Sequence, residues 1–250
     1  PAGSGGGRVF FSFCFMMSSF LRRAGRLLAG ALACTSLTLL PGCNASSADS
    51  TAGRLPYLGE PTVVPNPSGG AADTLPYRVS AFTLTNQDGQ TITNQTFAGK
   101  VYVTDFFFAT CPSICPKMQS ELLRVYEQFK DNPRVLFLSH TIDPAHDSIP
   151  VLRDYAQRLG IQNAARWHFA TAPHDTVFAL ARAYMTAAQV DKGVEGGFAH
   201  SGTFALIDSQ RRIRGLYDGM VKEEVDRLIR ELPELLKEEQ AAAAPQTAAK

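Results

Sequence analysis

The run Val101–Phe108, VYVTDFFF, is made largely of β-branched and aromatic residues, with no apolar–polar alternation. A strand that is apolar on both faces has to be covered on both, so it belongs in the middle of a sheet flanked by helices. The segments around it agree. AFTLTNQDGQTIT (81–93) predicts two short strands around the turn residues Asp88-Gly89. After the run, a helix is expected over 113–130, with Met118, Leu122, Val125 and Phe129 on one face and Pro112 and Pro116 near its start.

RVLFLSHTI (134–142) is the next buried strand, and Asp147 is expected to N-cap the helix that carries Val151, Leu152, Tyr155 and Leu159. RWHFAT is a short strand, and Pro173 opens a helix through Ala187. GTFALIDSQRRIRGLY reads as a hairpin turning at 208–210, and KEEVDRLIRELPELL as a closing amphipathic helix. This alternation implies an α/β fold: a mixed central β-sheet flanked by helices, with an N-terminal β-hairpin. A thioredoxin-like fold has this order and would put Cys111 where a strand ends and a helix begins.

The ends of the chain read differently. Residues 1–16 precede or include the first of the tandem methionines Met16-Met17 and are read as an upstream artefact or fragment edge. Arg22, Arg23 and Arg26 then lead into LLAGALACTSLTLL and Pro41-Gly42-Cys43, a basic, apolar and small-residue succession that marks 17–43 as a secretory signal. Its end is similar to a bacterial lipobox, which makes Cys43 the lipidated residue; the alternative is an uncleaved N-terminal anchor. Residues 44–75, rich in Ala, Ser, Gly and Pro, are expected to be a flexible tether, 76–237 the domain, and 238–250 a low-complexity tail. The protein is thus expected outside the cytoplasm of a bacterium, held at a membrane and facing the periplasm or cell exterior. The four charged residues before Cys43 are all arginine, so the remainder is acidic on balance and offers no basic stripe for nucleic acid.

Of five cysteines, Cys14, Cys34 and Cys43 fall in the leader, which leaves Cys111 and Cys115 as the domain's pair. A bond between them would close almost no loop and stabilise little, so the pair is expected to do chemistry: metal binding or thiol redox. Helical spacing would set their Cβ atoms about 6 Å apart on one face, and the helix end would favour a Cys111 thiolate. Among the five histidines, His140 and His168 lie in strands and read as satisfied structural residues; His146 and His174 read as exposed. His200 ends the loop DKGVEGGFAH and opens a strand, and the double glycine gives that loop a backbone that can reposition.

Three segments together, DFFFATCPSICPKMQSEL, SHTIDPAHDSIPVL and FAHSGTFALIDSQRRIRGLYDG, resemble the Sco/SenC family of copper-binding, thioredoxin-like proteins. The resemblance covers roughly residues 76–236. It implies a copper site formed by Cys111, Cys115 and His200, with Asp143 of the Asp-Pro motif near the metal; Asp143 also reads as a turn former before Pro144. Thiolates suit Cu(I), and imidazole suits Cu(I) and Cu(II). Met118 could offer a thioether, but its place in the apolar stripe assigns it to the core. The implied function is a copper metallochaperone for the dinuclear centre of cytochrome c oxidase, with the apo copper subunit or another copper chaperone as partner. A thiol–disulfide oxidoreductase using the Cys111–Cys115 pair is the rival enzyme reading, against which stand the three-residue gap and the distant histidine. A peroxidase of the same fold would need one cysteine alone.

Overall fold

The computed structural model describes residues 54–191, 193 and 197–243; the leader, Cys43 and the end of the tail lie outside them. In chain order the elements are β1 (Thr62–Val64), β2 (Asp73–Leu75), β3 (Thr83–Asn86), β4 (Thr91–Thr93), β5 (Val101–Phe107), α1 (Ile114–Phe129), β6 (Val135–Thr141) and α2 (Ile149–Arg158). They continue with β7 (Trp167–Thr171), α3 (His174–Ala183), β8 (Ala188–Val190), β9 (Phe198–His200), β10 (Thr203–Ile207), β11 (Ile213–Asp218) and α4 (Lys222–Ala243).

Seven strands form one sheet in the order β11-β10-β5-β6-β7-β3-β4. β5, β6 and β7 run parallel, and the strands outside them join antiparallel. Every residue of β5 and β6 is buried, as the unbroken apolar runs require. Met118, Leu122 and Val125 bring α1 onto this core, and α1 also packs on α4, which lies along β11. At the β3–β4 turn Gly89 has φ +77°, the left-handed backbone that a tight hairpin asks of this position. β1–β2 and β8–β9 are separate two-stranded hairpins.

Several details depart from the sequence expectations. α3 stops at Ala183, and the chain turns through Met185 at φ +58° into β8 before Ala187 could extend the helix. Asp147 is not the cap of α2: Ser148 takes that position without a side-chain bond. The Asp147 carboxylate instead turns inward, where it accepts the Ala109 amide at 3.0 Å and the Thr141 hydroxyl. It thereby ties the loop after β5 to the end of β6.

The segment read as a tether also contributes to the domain. Leu55 and Leu58 pack on the core, and the Leu58 amide donates to the Ile213 carbonyl at 2.9 Å. Arg214, 1% exposed, donates to the carbonyls of Leu55 (2.6 Å) and Pro56 (3.0 Å) and to Glu238 (2.5 Å). A buried guanidinium needs such partners, and residues 55–56 and helical Glu238 supply them. Tyr57 lies 4.5 Å from the guanidinium carbons of both Arg212 and Arg214. No helix among the described residues is long and apolar enough to cross a membrane.

Candidate metal centre

β5 delivers the chain to the site. Beyond Phe107, Phe108 stays buried and the backbone turns, with the Cys111 amide donating to the Phe108 carbonyl at 3.2 Å. α1 starts only at Ile114, so Cys111 lies in the preceding loop and Cys115 in the first turn. The two cysteines therefore do not share a helical face; the loop folds Cys111 over the helix end. Cys111 is partly exposed and Cys115 buried, and neither is in a disulfide.

The third group arrives from 85 residues away. His200 lies in a strand, as the last residue of β9 rather than the first of the strand after it, and pairs across the hairpin with Ala188. Its Nε2 lies 3.1 Å from Cys115 Sγ, while Nδ1 lies 3.2 Å from the Ser201 carbonyl oxygen. A proton on Nδ1 donated to that carbonyl leaves the Nε2 lone pair facing the cysteines. Cys111, Cys115 and His200 present ligand atoms all within 4.8 Å of one another. The set opens into a cavity of about 420 Å³ walled by Phe108, Ile114 and Phe198, with Cys111 and His200 on its lining.

The thiols are unequal. A hydrogen bond from the Cys115 thiol holds Cys111 down to about 3. The same bond, then burial, pushes Cys115 well above the ordinary thiol range. One proton thus stays on the buried sulfur, and the accessible sulfur is the thiolate, the form that attacks disulfides and binds metal. The sequence expected a low Cys111 from the helix end; the partner thiol is the larger cause.

Asp143 is 5% exposed and its carboxylate is engaged by His146 Nδ1 at 2.8 and 2.9 Å. It is not one of the three convergent donors. Exposed His146 is therefore also paired, and Asp143 holds it above the usual histidine range. Met118 is fully buried in the core. His168 meets Asn86 at 3.3 Å, as a satisfied structural histidine should. His140 differs from expectation: it stacks on Phe106 at 4.7 Å, and neither ring nitrogen has a hydrogen-bond partner. Burial alone depresses it to about 3 and keeps it neutral.

One residue near the site escaped the sequence reading. Asp105 is fully buried within β5, where its carboxylate accepts Gln119 Nε2 at 2.7 Å and Ser139 Oγ at 2.5 Å. Trp167 Nε1 in turn donates to Ser139 Oγ at 2.9 Å. The signal was available: one acid inside an otherwise apolar or neutral strand that must be buried.

The family model described as SCO1/SenC matches residues 72–237. A SCO1 protein homolog of Bacillus subtilis is 27% identical over 161 residues, covering 63% of this chain and 82% of the relative. The crystal structure of a SCO1/SenC family lipoprotein from Bacillus anthracis superposes with TM-score 0.59 at 24% identity, covering 64% of this chain and 95% of that one. Arabidopsis thaliana ScoI, solved with copper bound, gives TM-score 0.54 at 20% identity over 64% of this chain and 98% of its own. The shared fold is thioredoxin-like.

Proposed function

This chain belongs to the SCO1/SenC family, and from that premise we propose that it is a copper metallochaperone that binds one copper ion through Cys111, Cys115 and His200. The observation that carries the reading is the convergence of three donor atoms within 4.8 Å, brought together from two distant stretches of chain. The donor set suits the metal: thiolates are soft ligands for Cu(I), and imidazole serves both oxidation states. The Cys111 thiolate and the His200 Nε2 lone pair need no further deprotonation to bind, so the Cys115 proton is the one that metal must displace. Copper is the cargo here. Phe108, Ile114 and Phe198 shield one side of the site, and the open cavity lets a partner's ligands replace these three in turn.

The recipient in this reading is the dinuclear copper centre of cytochrome c oxidase, reached directly or through another copper chaperone. The protein works outside a bacterial cytoplasm, held to the membrane by a lipid on Cys43 or by its N-terminal anchor.

The test is copper retention by the reduced domain. One ion per chain is expected, lost in Cys111→Ser and Cys115→Ser. His200→Ala should lower affinity by at least the ~10–100-fold that losing an outer-shell partner of a metal ligand costs. Wild type that retains no copper, or His200→Ala that binds as tightly, overturns the site. The thiol asymmetry favours a second reading, a thiol–disulfide oxidoreductase in which Cys111 attacks and Cys115 resolves. Disulfide reductase turnover that survives His200→Ala while copper binding falls would establish both activities on one pair.

A further inference from the structure

We propose that the buried carboxylate of Asp105 acts on the Cys111–Cys115–His200 site by charge and not by contact, biasing it toward the more positive occupant, Cu(II) over Cu(I). The copper form of this inference rests on the reading above. Its ground is the placement of one acid in the middle of the central sheet.

The Asp105 side chain has no exposure to solvent, and both groups bonded to it, the Gln119 amide and the Ser139 hydroxyl, are neutral. Its charge is stabilised by hydrogen bonds but not cancelled. Gln119 follows Cys115 by one helical turn on α1, and β5 runs on from Asp105 into the loop that carries Cys111. The carboxylate is therefore held against α1 at Gln119, one turn along the helix from Cys115. Burial raises Asp105 to about 6, against the Ser139 and Gln119 hydrogen bonds that draw it down. Above that value the carboxylate is an anion.

Two thiolates and a neutral imidazole carry one net negative charge with Cu(I) and none with Cu(II). A nearby buried anion repels the first complex and leaves the second almost unaffected. At an effective dielectric of about 20, one unit charge on the order of 10 Å away corresponds to about tenfold in the ratio of affinities. A structural tie between β5 and α1 would behave differently, because loosening α1 moves the ligands and weakens both ions together. The ratio therefore separates charge from positioning.

The experiment measures Cu(I) and Cu(II) affinities by chelator competition for wild type, Asp105→Asn, Asp105→Ser and Asp105→Glu. The two neutral variants should lower the Cu(II)/Cu(I) affinity ratio about tenfold; Asp105→Glu should keep it. Using two neutral replacements guards against one that fails to fold, and circular dichroism identifies that case. In parallel, the metal-free pair is equilibrated with glutathione: two glutathione thiols become one glutathione disulfide as the Cys111–Cys115 bond is reduced. The thiolate content of the reduced pair is read from its ultraviolet absorbance at the same pH. Where one thiolate forms, its proton goes to solvent, and removing the Asp105 charge should then raise that equilibrium constant several-fold. Equal losses for both ions, with the glutathione equilibrium unmoved, overturn the proposal and leave Asp105 a structural tie. Failure of wild type to bind copper refutes the metallochaperone reading instead; the glutathione arm then decides whether the charge reaches the thiols.

Discussion

The cysteines and the histidine reach one cavity from supports of opposite kind. Cys111 and Cys115 hang from β5 and α1, where all seven strand residues are buried and Met118, Leu122 and Val125 fix the helix. His200 rides on β9, a three-residue strand paired, among the described residues, with the equally short β8 alone, and no residue of either is fully buried. A two-stranded hairpin is marginal by itself. This one is positioned by the packing of β8 on α3, by the Phe108 ring against Phe198 (5.5 Å) and His200 (6.0 Å), and by the approach of His200 to Cys115. In the metallochaperone reading proposed above, two donors are anchored in the core and the third is carried by a short hairpin at its edge.

The comparison can be broken at its seam. Phe108 belongs to the core yet bears the ring on which the hairpin rests. Phe108→Ala should destabilise the domain by about 3–5 kcal/mol in denaturant titration and also free His200, weakening metal retention more than an equally destabilising change elsewhere. Equal weakening by Leu122→Ala, which empties core space away from the hairpin, would refute the special role of the seam.

The rigid side is sharpened by pH. An unfolded histidine takes up a proton near 6.5, whereas burial holds His140 at about 3 in the fold. Between those values the unfolded chain binds more protons, so stability present above about 6.5 is lost as pH falls toward 3. His140→Phe keeps an aromatic ring on Phe106 and removes two unpartnered nitrogens. It should flatten this acid loss by an amount of order a few kcal/mol, read from denaturation midpoints across the window. An unchanged pH slope would place the loss elsewhere.

The hairpin side supplies the smallest effect. Gly197 has φ +78° and space around an added Cβ, so Gly197→Ala meets a conformational penalty rather than a clash. About 1–2 kcal/mol is expected, and it should appear as faster amide exchange in β8–β9 with the seven-stranded sheet unchanged. Loss of protection throughout the sheet would show that the two regions open together.

Legibility in the sequence follows the same division. β5, α1, β6 and the Asp88-Gly89 turn carry unbroken apolar runs, helical periodicity or turn residues, and they were readable because local pattern and tertiary burial agree. The hairpin was not, because Ala188-Gln189-Val190 is too short to show a period and its pairing with 198–200 spans a loop. Cys111 was placed on the helix because spacing cannot reveal where the first turn begins, and Pro112 lets the chain enter from outside it. Asp147 looked like a cap by composition, but the need to tie the loop after β5 claimed its carboxylate. His140 looked satisfied because stacking on Phe106 is invisible in one dimension. The three convergent residues, by contrast, were identified through family resemblance and then placed together by the fold.

The Arg214 cluster has a mechanical consequence. Leu55, Pro56 and Leu58 are bonded to Arg214 and Ile213, and the Leu55 amide donates to Glu238. A pull along the backbone from residue 54 is therefore shared between β11, an outer strand of the sheet, and α4. β10 stands between β11 and β5, the strand that leads to the cysteines, whereas α4 packs directly on α1, which carries Cys115. The helical route to the site is thus the shorter of the two.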